Sequence, residues 1–509
     1  MTKFRTLALA LAILMVLPLV FASGCAKGND PGSDVNVIEE TADENSVYDA
    51  EIKDLGGHVF RFAVGNTTEN LHLAVNEVYA EEVNGDKIND AVFRRNAGLQ
   101  EDYNCVIEED RIKDLAAAIK EQLLAGEYQY DFIYYSVKQL RTLSASGLLA
   151  DLGALENIDL DKAWWDQNAV EGFSIAGKKF YATGAAGTLD ERASWVIYFN
   201  KDFVDMAELE SPYELVRQGK WTVDKMYEYV LATSEDKDGN GIMEITKDRF
   251  GYMGEAASNW FHVAAGGIRL SKTSSSGNIE IPPTVNKEVL SAWTTLKPLL
   301  TTEYRDVSDW GPRFRQGLAT FFSCNLGAVA NMANSNVNFG LLPMPKLSED
   351  QEEYWTSLQG GWCYVYAIPN VVENATDYQA NGFSSGQEQA AYFLEAFAYR
   401  SMGVLDVAYY DQVVKHQAVR DEDSVEMLDI GLKNKVYDPV VIFDFGKIGM
   451  TLFRQVGSNG EGGTMGTAGV WVKGSDANYD TLVSTYQSRV EAARKQLNSY
   501  IDYVTSDDD

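Results

Sequence analysis

The chain has 509 residues and a net charge of −32, with 45% apolar and 23% charged residues. That length accommodates two or three domains, the composition excludes a disordered chain, and the negative surface argues against nucleic acid as a partner. Aromatic residues reach 12%, with 10 Trp and 27 Tyr, which supplies many ring faces for stacking.

The start, MTKFRTLALALAILMVLPLVFASGC, has a basic tip at Lys3 and Arg5, an apolar run to Phe21, and small residues before Cys25. This is the pattern of a secretory signal over 1–24, too short and wrongly flanked for a durable membrane span. A cysteine behind small residues resembles a bacterial lipobox, which implies acylation of Cys25. Ala22 departs from that pattern, which usually has Leu there, and Ala22-Ser23-Gly24 also suits an ordinary cleavage site. Residues 25–50 are acidic, with Gly28, Pro31, Gly32 and Ser33, as in a solvated tether.

Strands and helices then alternate. HVFRFAV (58–64) predicts a strand, Ile88, Val92, Leu99 and Tyr103 a helix from Asp86, and NCVIEED (104–110) a strand. Leu115, Ile119 and Leu123 predict a helix closed by Gly126, and YDFIYYS (130–136) a strand before a helix with Leu140 and Leu143. This alternation predicts βαβ units and an α/β fold. A second lobe begins after residues 148–154. It holds a strand over WVIYFN entering a helix, a helix capped by Thr222 with Asp224 in its first turn, and a short strand in FGLLPMPK (339–346). GGWCYVYAIP (360–369) predicts a buried strand, Ser385 to Glu388 a capping box, and Leu482, Tyr486, Val490, Leu497 and Ile501 a last helix. Cys105, Cys324 and Cys363 are far apart, lack any CxxC pattern and are expected as buried free thiols.

DKDGNGIMEITKD places oxygen donors at Asp236, Asp238, Asn240, the Ile242 carbonyl and Glu244, with Gly241 at the turn, which matches most of a calcium loop. The bidentate Glu of position 12 is replaced by Lys247, with Asp248 one step later. One structural Ca2+ of weak affinity is the expectation, weighed against a metal-free Asp/Asn/Gly turn.

YDFIYYSVKQLRTLSASGLLADL, GKKFYATG before SWVIYFNKDF, FRQGLATFF before NFGLLPMPK, and GGWCYVYAIPN before AAYFLEAFAYRSM resemble, in that order, the extracellular solute-binding lipoproteins of bacterial ABC importers. The likeness is to the maltodextrin-binding carbohydrate group in its long clostridial form. It implies a two-lobed periplasmic-binding-protein-like α/β fold with discontinuous lobes, hinge crossovers and a ligand cleft. One lobe takes 51–155 plus 352–403, the other 156–348 plus 404–503, and an acidic tail follows at 504–509. It implies no enzymatic activity. The implied work is capture of a solute, a sugar or oligosaccharide, and its delivery to importer transmembrane subunits by a monomer lipid-anchored on the extracellular face.

Solute binds at the carboxyl ends of strands in such folds. That selects Asn66, Thr67 and the adjoining Thr68 after the first strand, and Ser136 after YDFIYY. Trp362 follows Gly360-Gly361, where the backbone can bend toward a cleft. Trp164 is selected with Trp165 left to the core, because adjacent residues face opposite ways. Asp190 and Trp195 precede the expected crossover, while Trp260 and Asn325 stand where the family presents ligand contacts. For each Trp the competing role is core packing, to which Trp221 and Trp293 are assigned outright. A glycoside hydrolase needs two flanking carboxylates, which composition does not exclude, but no stretch resembles a hydrolase motif. A binding lipoprotein feeding a sensor kinase would share every motif here.

Overall fold

The computed structural model describes residues 44–65, 76–254, 258–274, 278–281, 285–306, 311–332, 335–358, 360–371, 377–415, 421–448 and 477–506. Those after Glu44 belong to one compact unit, Asn45–Asp509. Cys25, Asn66, Thr67 and Thr68 lie outside the described residues. No helix among the described residues is long and apolar enough to cross a membrane.

In chain order the first elements are β1 (His58–Gly65), α1 (Lys87–Tyr103), β2 (Cys105–Ile112), α2 (Leu115–Ala125), β3 (Phe132–Ser136) and α3 (Val137–Ser144). Asp86 accepts from Asn89 N as N-cap of α1, and Asn104 ends that helix at φ 46°, so β2 starts one residue later than the sequence suggests. Gly126 closes α2 at φ 77°. Next come α4 (Gln167–Phe173), α5 (Leu189–Ala193), β4 (Trp195–Asn200), α6 (Val223–Thr233), β5 (Phe250–Gly254), α7 (Ser258–Ala264), β6 (Arg305–Asp306), β7 (Ala319–Asn325) and β8 (Phe339–Leu342). The chain continues through β9 (Thr356–Ser357), β10 (Tyr364–Ala367), α8 (Gly386–Ser401), α9 (Leu405–Lys415), α10 (Glu422–Leu432), β11 (Lys435–Val436) and α11 (Ala477–Val504).

Two sheets result. The first has order β10-β3-β1-β2, with β1 parallel to both β2 and β3 and β10 antiparallel at the edge. The second has order β8-β4-β7-β5-β6, with β5 parallel to β7 and β6, and β4 antiparallel to β7 and β8. The first sheet is buried by Phe60, Phe62 and Phe132 against Phe393 and Phe397 of α8, with Phe60 stacked on Phe393 at 3.8 Å. The second buries Tyr198, Phe250 and Phe322 on one face and Ile197, Tyr252 and Phe321 on the other. Successive residues of β4 thus enter different cores, as the pleat requires.

The capping box forms by half. Ser385 Oγ accepts from Glu388 N at 3.2 Å, but the Glu388 carboxylate turns away to accept from Glu156 N, Asn157 N and Asn157 Nδ2. Three donors from a distant loop outcompete the one backbone N–H that a reciprocal box offers. Cys105 and Cys363 are buried free thiols as expected, whereas Cys324 is half-buried, near the carboxyl end of β7. Tyr486, Val490 and Leu497 of α11 are buried and Ile501 is half-buried; the Leu482 side chain lies outside the described residues.

His58 opens β1 between two carboxylates, with Nδ1 2.9 Å from Asp377 and Nε2 3.5 Å from Asp131. Burial opposes its protonation, but Asp131 and then Asp377 reverse that, and its pKa is raised. Its stabilising contribution is therefore complete below the unfolded pKa of about 6.5 and is lost as pH rises through the folded value. Urea midpoints are expected to fall between pH 6.5 and 8.5, and His58→Asn to show a smaller fall than wild type over the same range. A wild-type midpoint flat over this range would show the imidazolium contributes nothing.

Candidate functional site

The parallel strands β1 and β3 end at Gly65 and Ser136. Ser136 is buried and its Oγ donates to Gly360 O at 2.9 Å, while Val137 N donates to Cys363 O at 2.8 Å. These bonds pin the 360–363 segment across the carboxyl end of the first sheet. Gly360 is needed at this closure, since a Cβ there would lie 2.3 Å from Ile442 O. Trp362, carried on this segment, is half-buried and packs against the hydrophobic clusters of both lobes.

In the second sheet β5 and β7 end at Gly254 and Asn325. Asn325 is half-buried, pairs in register with Trp195, and accepts from Ala328 N through Oδ1 at 3.1 Å. The strand ends are fixed by a buried polar group: the Tyr252 hydroxyl bonds His262 Nε2 at 2.7 Å and Ser323 Oγ at 2.9 Å. Arg305 Nη2 donates to Asn259 Oδ1 at 2.7 Å. Burial, followed by the Arg305 charge, lowers the His262 pKa to about 3, so this imidazole is neutral.

The other selected residues are enclosed. Trp195 is buried and stacks on Phe261 at 3.9 Å. Trp260 is buried in the same cluster, and Trp164 packs edge-on to Tyr399 in the core under the first sheet. Trp165, assigned to the core, is indeed buried, with Nε1 donating to Glu395 at 2.9 Å. Trp164, Trp195 and Trp260 are therefore enclosed in this arrangement, whereas Trp362 is half-buried. Trp355, which the sequence pattern did not single out, is also half-buried, with the Arg269 guanidinium 5.9 Å from its ring.

Asp190 is buried, and its carboxylate accepts from Lys435 Nζ at 2.7 Å and from the Tyr437 hydroxyl at 3.2 Å. Lys435 also pairs with Asp166 at 2.9 Å. Burial would raise the Asp166 pKa, yet Lys435 overrides it and holds the group below its ordinary value. Lys435, Tyr437 and Asp166 went unnoticed in the sequence because nothing local marks them.

The DKDGNG loop follows α6 and leads into β5, not into a second helix. Asp236 accepts from Gly239 N at 2.8 Å and Gly241 N at 2.6 Å; Asn240 Oδ1 accepts from Ile242 N at 2.7 Å. Glu244 accepts from Asn240 Nδ2 at 3.0 Å and pairs with Lys247 at 2.5 Å. Asp248 closes the loop from beneath, accepting from Lys237 N and Glu244 N. Asp236, Asp238 and Asp248 each bring one oxygen within 4.8 Å of the others. An all-oxygen donor set fits a hard cation, although the Lys247 ammonium, 3.3 Å from Asp238, would have to swing aside.

A model of the bacterial extracellular solute-binding protein family matches residues 99–416. The chain belongs to that family. Among solved structures it is similar to M. tuberculosis UspC, at 13% identity and TM-score 0.51, covering 86% of this chain and 99% of that one. It is also similar to a sugar transporter from Rhizobium etli in an open conformation, at 16% identity and TM-score 0.49, covering 88% and 99%. A third is an ABC substrate-binding protein from Listeria monocytogenes in complex with cycloalternan, at 13% identity and TM-score 0.47, covering 89% and 99%. The two sheets, with the chain crossing between them, form the two-lobed periplasmic-binding-protein-like fold. No curated protein matches the sequence.

Proposed function

We propose that this protein captures a sugar or oligosaccharide between its lobes and delivers it to the transmembrane subunits of an ABC importer by hinge closure. The observation that carries this reading is Trp362, a half-open ring held at the carboxyl end of the first sheet by the Ser136–Gly360 bond. A sugar's C–H face stacks on such a ring while its hydroxyls bond polar groups, and Asn325 at the end of a strand of the second sheet is the proposed one. The protein acts as a monomer tethered through acylated Cys25 on the extracellular face of the membrane. The reading is tested by a thermal-shift screen of oligosaccharides, with product analysis of every hit. A ligand at about 100 times its dissociation constant adds about 2.7 kcal/mol, enough for a visible shift. A sugar recovered intact supports capture; a cleaved one replaces this reading with a hydrolase.

The DKDGNG loop is proposed to hold one structural Ca2+ through Asp236, Asp238, Asn240, the Ile242 carbonyl and Glu244, with Asp248 supporting. Lys247→Glu restores an acidic group at position 12 and removes the competing ammonium, so calorimetry should show Ca2+ affinity raised by about tenfold or more. No Ca2+ heat in either protein would reduce the loop to a metal-free turn.

A further inference from the structure

We propose that movement of the lobes is proton-linked through Glu191, a half-buried carboxylate with one shielded, unpartnered oxygen set beside a buried acidic cluster where the chain crosses between the sheets. This rests on the solute-capture reading above and adds a regulation to it.

The crossing segments are stitched together here. Ala182 bridges to Tyr366 on the first sheet, and α5 then leads from that edge to β4 of the second. The return path from β8 to β10 runs beside it: Ser194 bridges to Leu358, and Thr356 Oγ1 donates to Trp195 O at 2.7 Å. On the other side β9 pairs with β11, and Ser357 Oγ donates to Val436 O at 2.9 Å. Any rotation of one lobe against the other must be absorbed near these residues.

The charges at this point do not balance. Lys435 faces Asp166 and Asp190, which already outnumber it, and Tyr437 donates to both. Glu191 adds a third carboxylate, and its Oε2 is shielded from solvent with no hydrogen-bond partner among the described residues. The groups acting on it from other elements are Asp166 at the start of α4, Lys435 of β11, and Asp406, Tyr409 and Tyr410 of α9. The neighbouring Arg192 is engaged by Glu77. Although the residue is half-buried, ionising it places negative charge beside Asp190, Asp166 and Asp406 with no donor on the shielded oxygen, and a proton removes that cost.

Burial first and Asp190 next raise the Glu191 pKa to about 8, with Lys435 opposing and Asp406 and Asp166 adding to the rise. Where the crossings part and water reaches Glu191, it returns toward the ordinary carboxylate range of about 4.3. The packed arrangement therefore binds a proton that the parted one releases. Falling pH favours packing, and pH rising through about 8 favours parting.

Hydrogen exchange of the purified, solute-free protein tests this, with rates corrected for the intrinsic pH dependence of amide exchange. Peptides over 188–195, 354–358 and 433–438 are expected to exchange about tenfold faster at pH 9 than at pH 6.5, a tenfold change in opening being about 1.4 kcal/mol. Glu191→Gln, which mimics the protonated group, is expected to keep slow exchange at both. Asp406→Asn leaves Glu191 in place and should move the transition to lower pH. Wild-type protection equal at both pH values overturns the proposal, as does a Glu191→Gln protein that keeps the wild-type response or an unmoved transition in Asp406→Asn. No solute enters the measurement, so failure of the sugar screen and failure of this proposal are separate results.

Discussion

Glu77→Ala is expected to lower folding stability by about 3–5 kcal/mol, the cost of leaving a buried ionic partner uncompensated. Glu77 is fully buried, pairs with Arg192, and accepts from Thr188 Oγ1 at 2.8 Å and Asn76 N at 2.9 Å. Its own carbonyl and that of Val78 accept from Arg95, a buried guanidinium that also packs 3.8 Å from the Phe397 ring and bonds Ser401. This group ties residues 76–78 to α5, at the first crossing. Urea denaturation of Glu77→Ala and of Glu77→Ala/Arg192→Met checks it. Removing both charges should recover at least half of the loss, because the penalty comes from the stranded guanidinium. A single variant within about 0.5 kcal/mol of wild type would show that water reaches Arg192 and that the pair is not buried in solution.

Trp362→Ala is expected to weaken binding of the recovered solute at least about tenfold, about 1.4 kcal/mol, with the melting temperature of the free protein little changed. The side chain is only half-buried, so truncation removes less core than it would at Trp195 or Trp260. Trp260→Ala supplies the contrast. Its ring is wholly enclosed, so the loss should appear as stability, about 3–5 kcal/mol, before it appears as affinity. Unchanged affinity in folded Trp362→Ala would remove that ring from the site.

Much of the local structure was legible in the sequence because its causes are local. Asp86, Thr222 and Ser385 each accept a backbone N–H as N-caps, and Gly126 ends its helix in the left-handed region. The hydrophobic spacing of Leu115 and Ile119, and of Tyr486, Val490 and Leu497, marks faces that are buried. The alternation of strands and helices pointed to an α/β fold, and the resemblance carried by the order of motifs implied its two lobes. Such features depend on neighbours within a few residues, where periodicity and capping chemistry act.

The candidate site was legible only in part. A tryptophan reads the same in sequence whether it is sealed, as Trp164, Trp195 and Trp260 are, or half-open, as Trp362 and Trp355 are; the packing of distant elements decides. Glu388 had the spacing of a capping box, but a loop more than 200 residues away in sequence took its carboxylate. Lys435 and Asp190 are separated by 245 positions and meet at 2.7 Å, and that meeting gives Glu191 its surroundings. What the sequence alone determined was part of the set of helices and strands, several of their caps and the α/β class, because those follow from contacts a few residues apart. Which rings stay open and which charges are buried together was decided by tertiary structure, because burial and charge pairing depend on what the folded chain brings close in space.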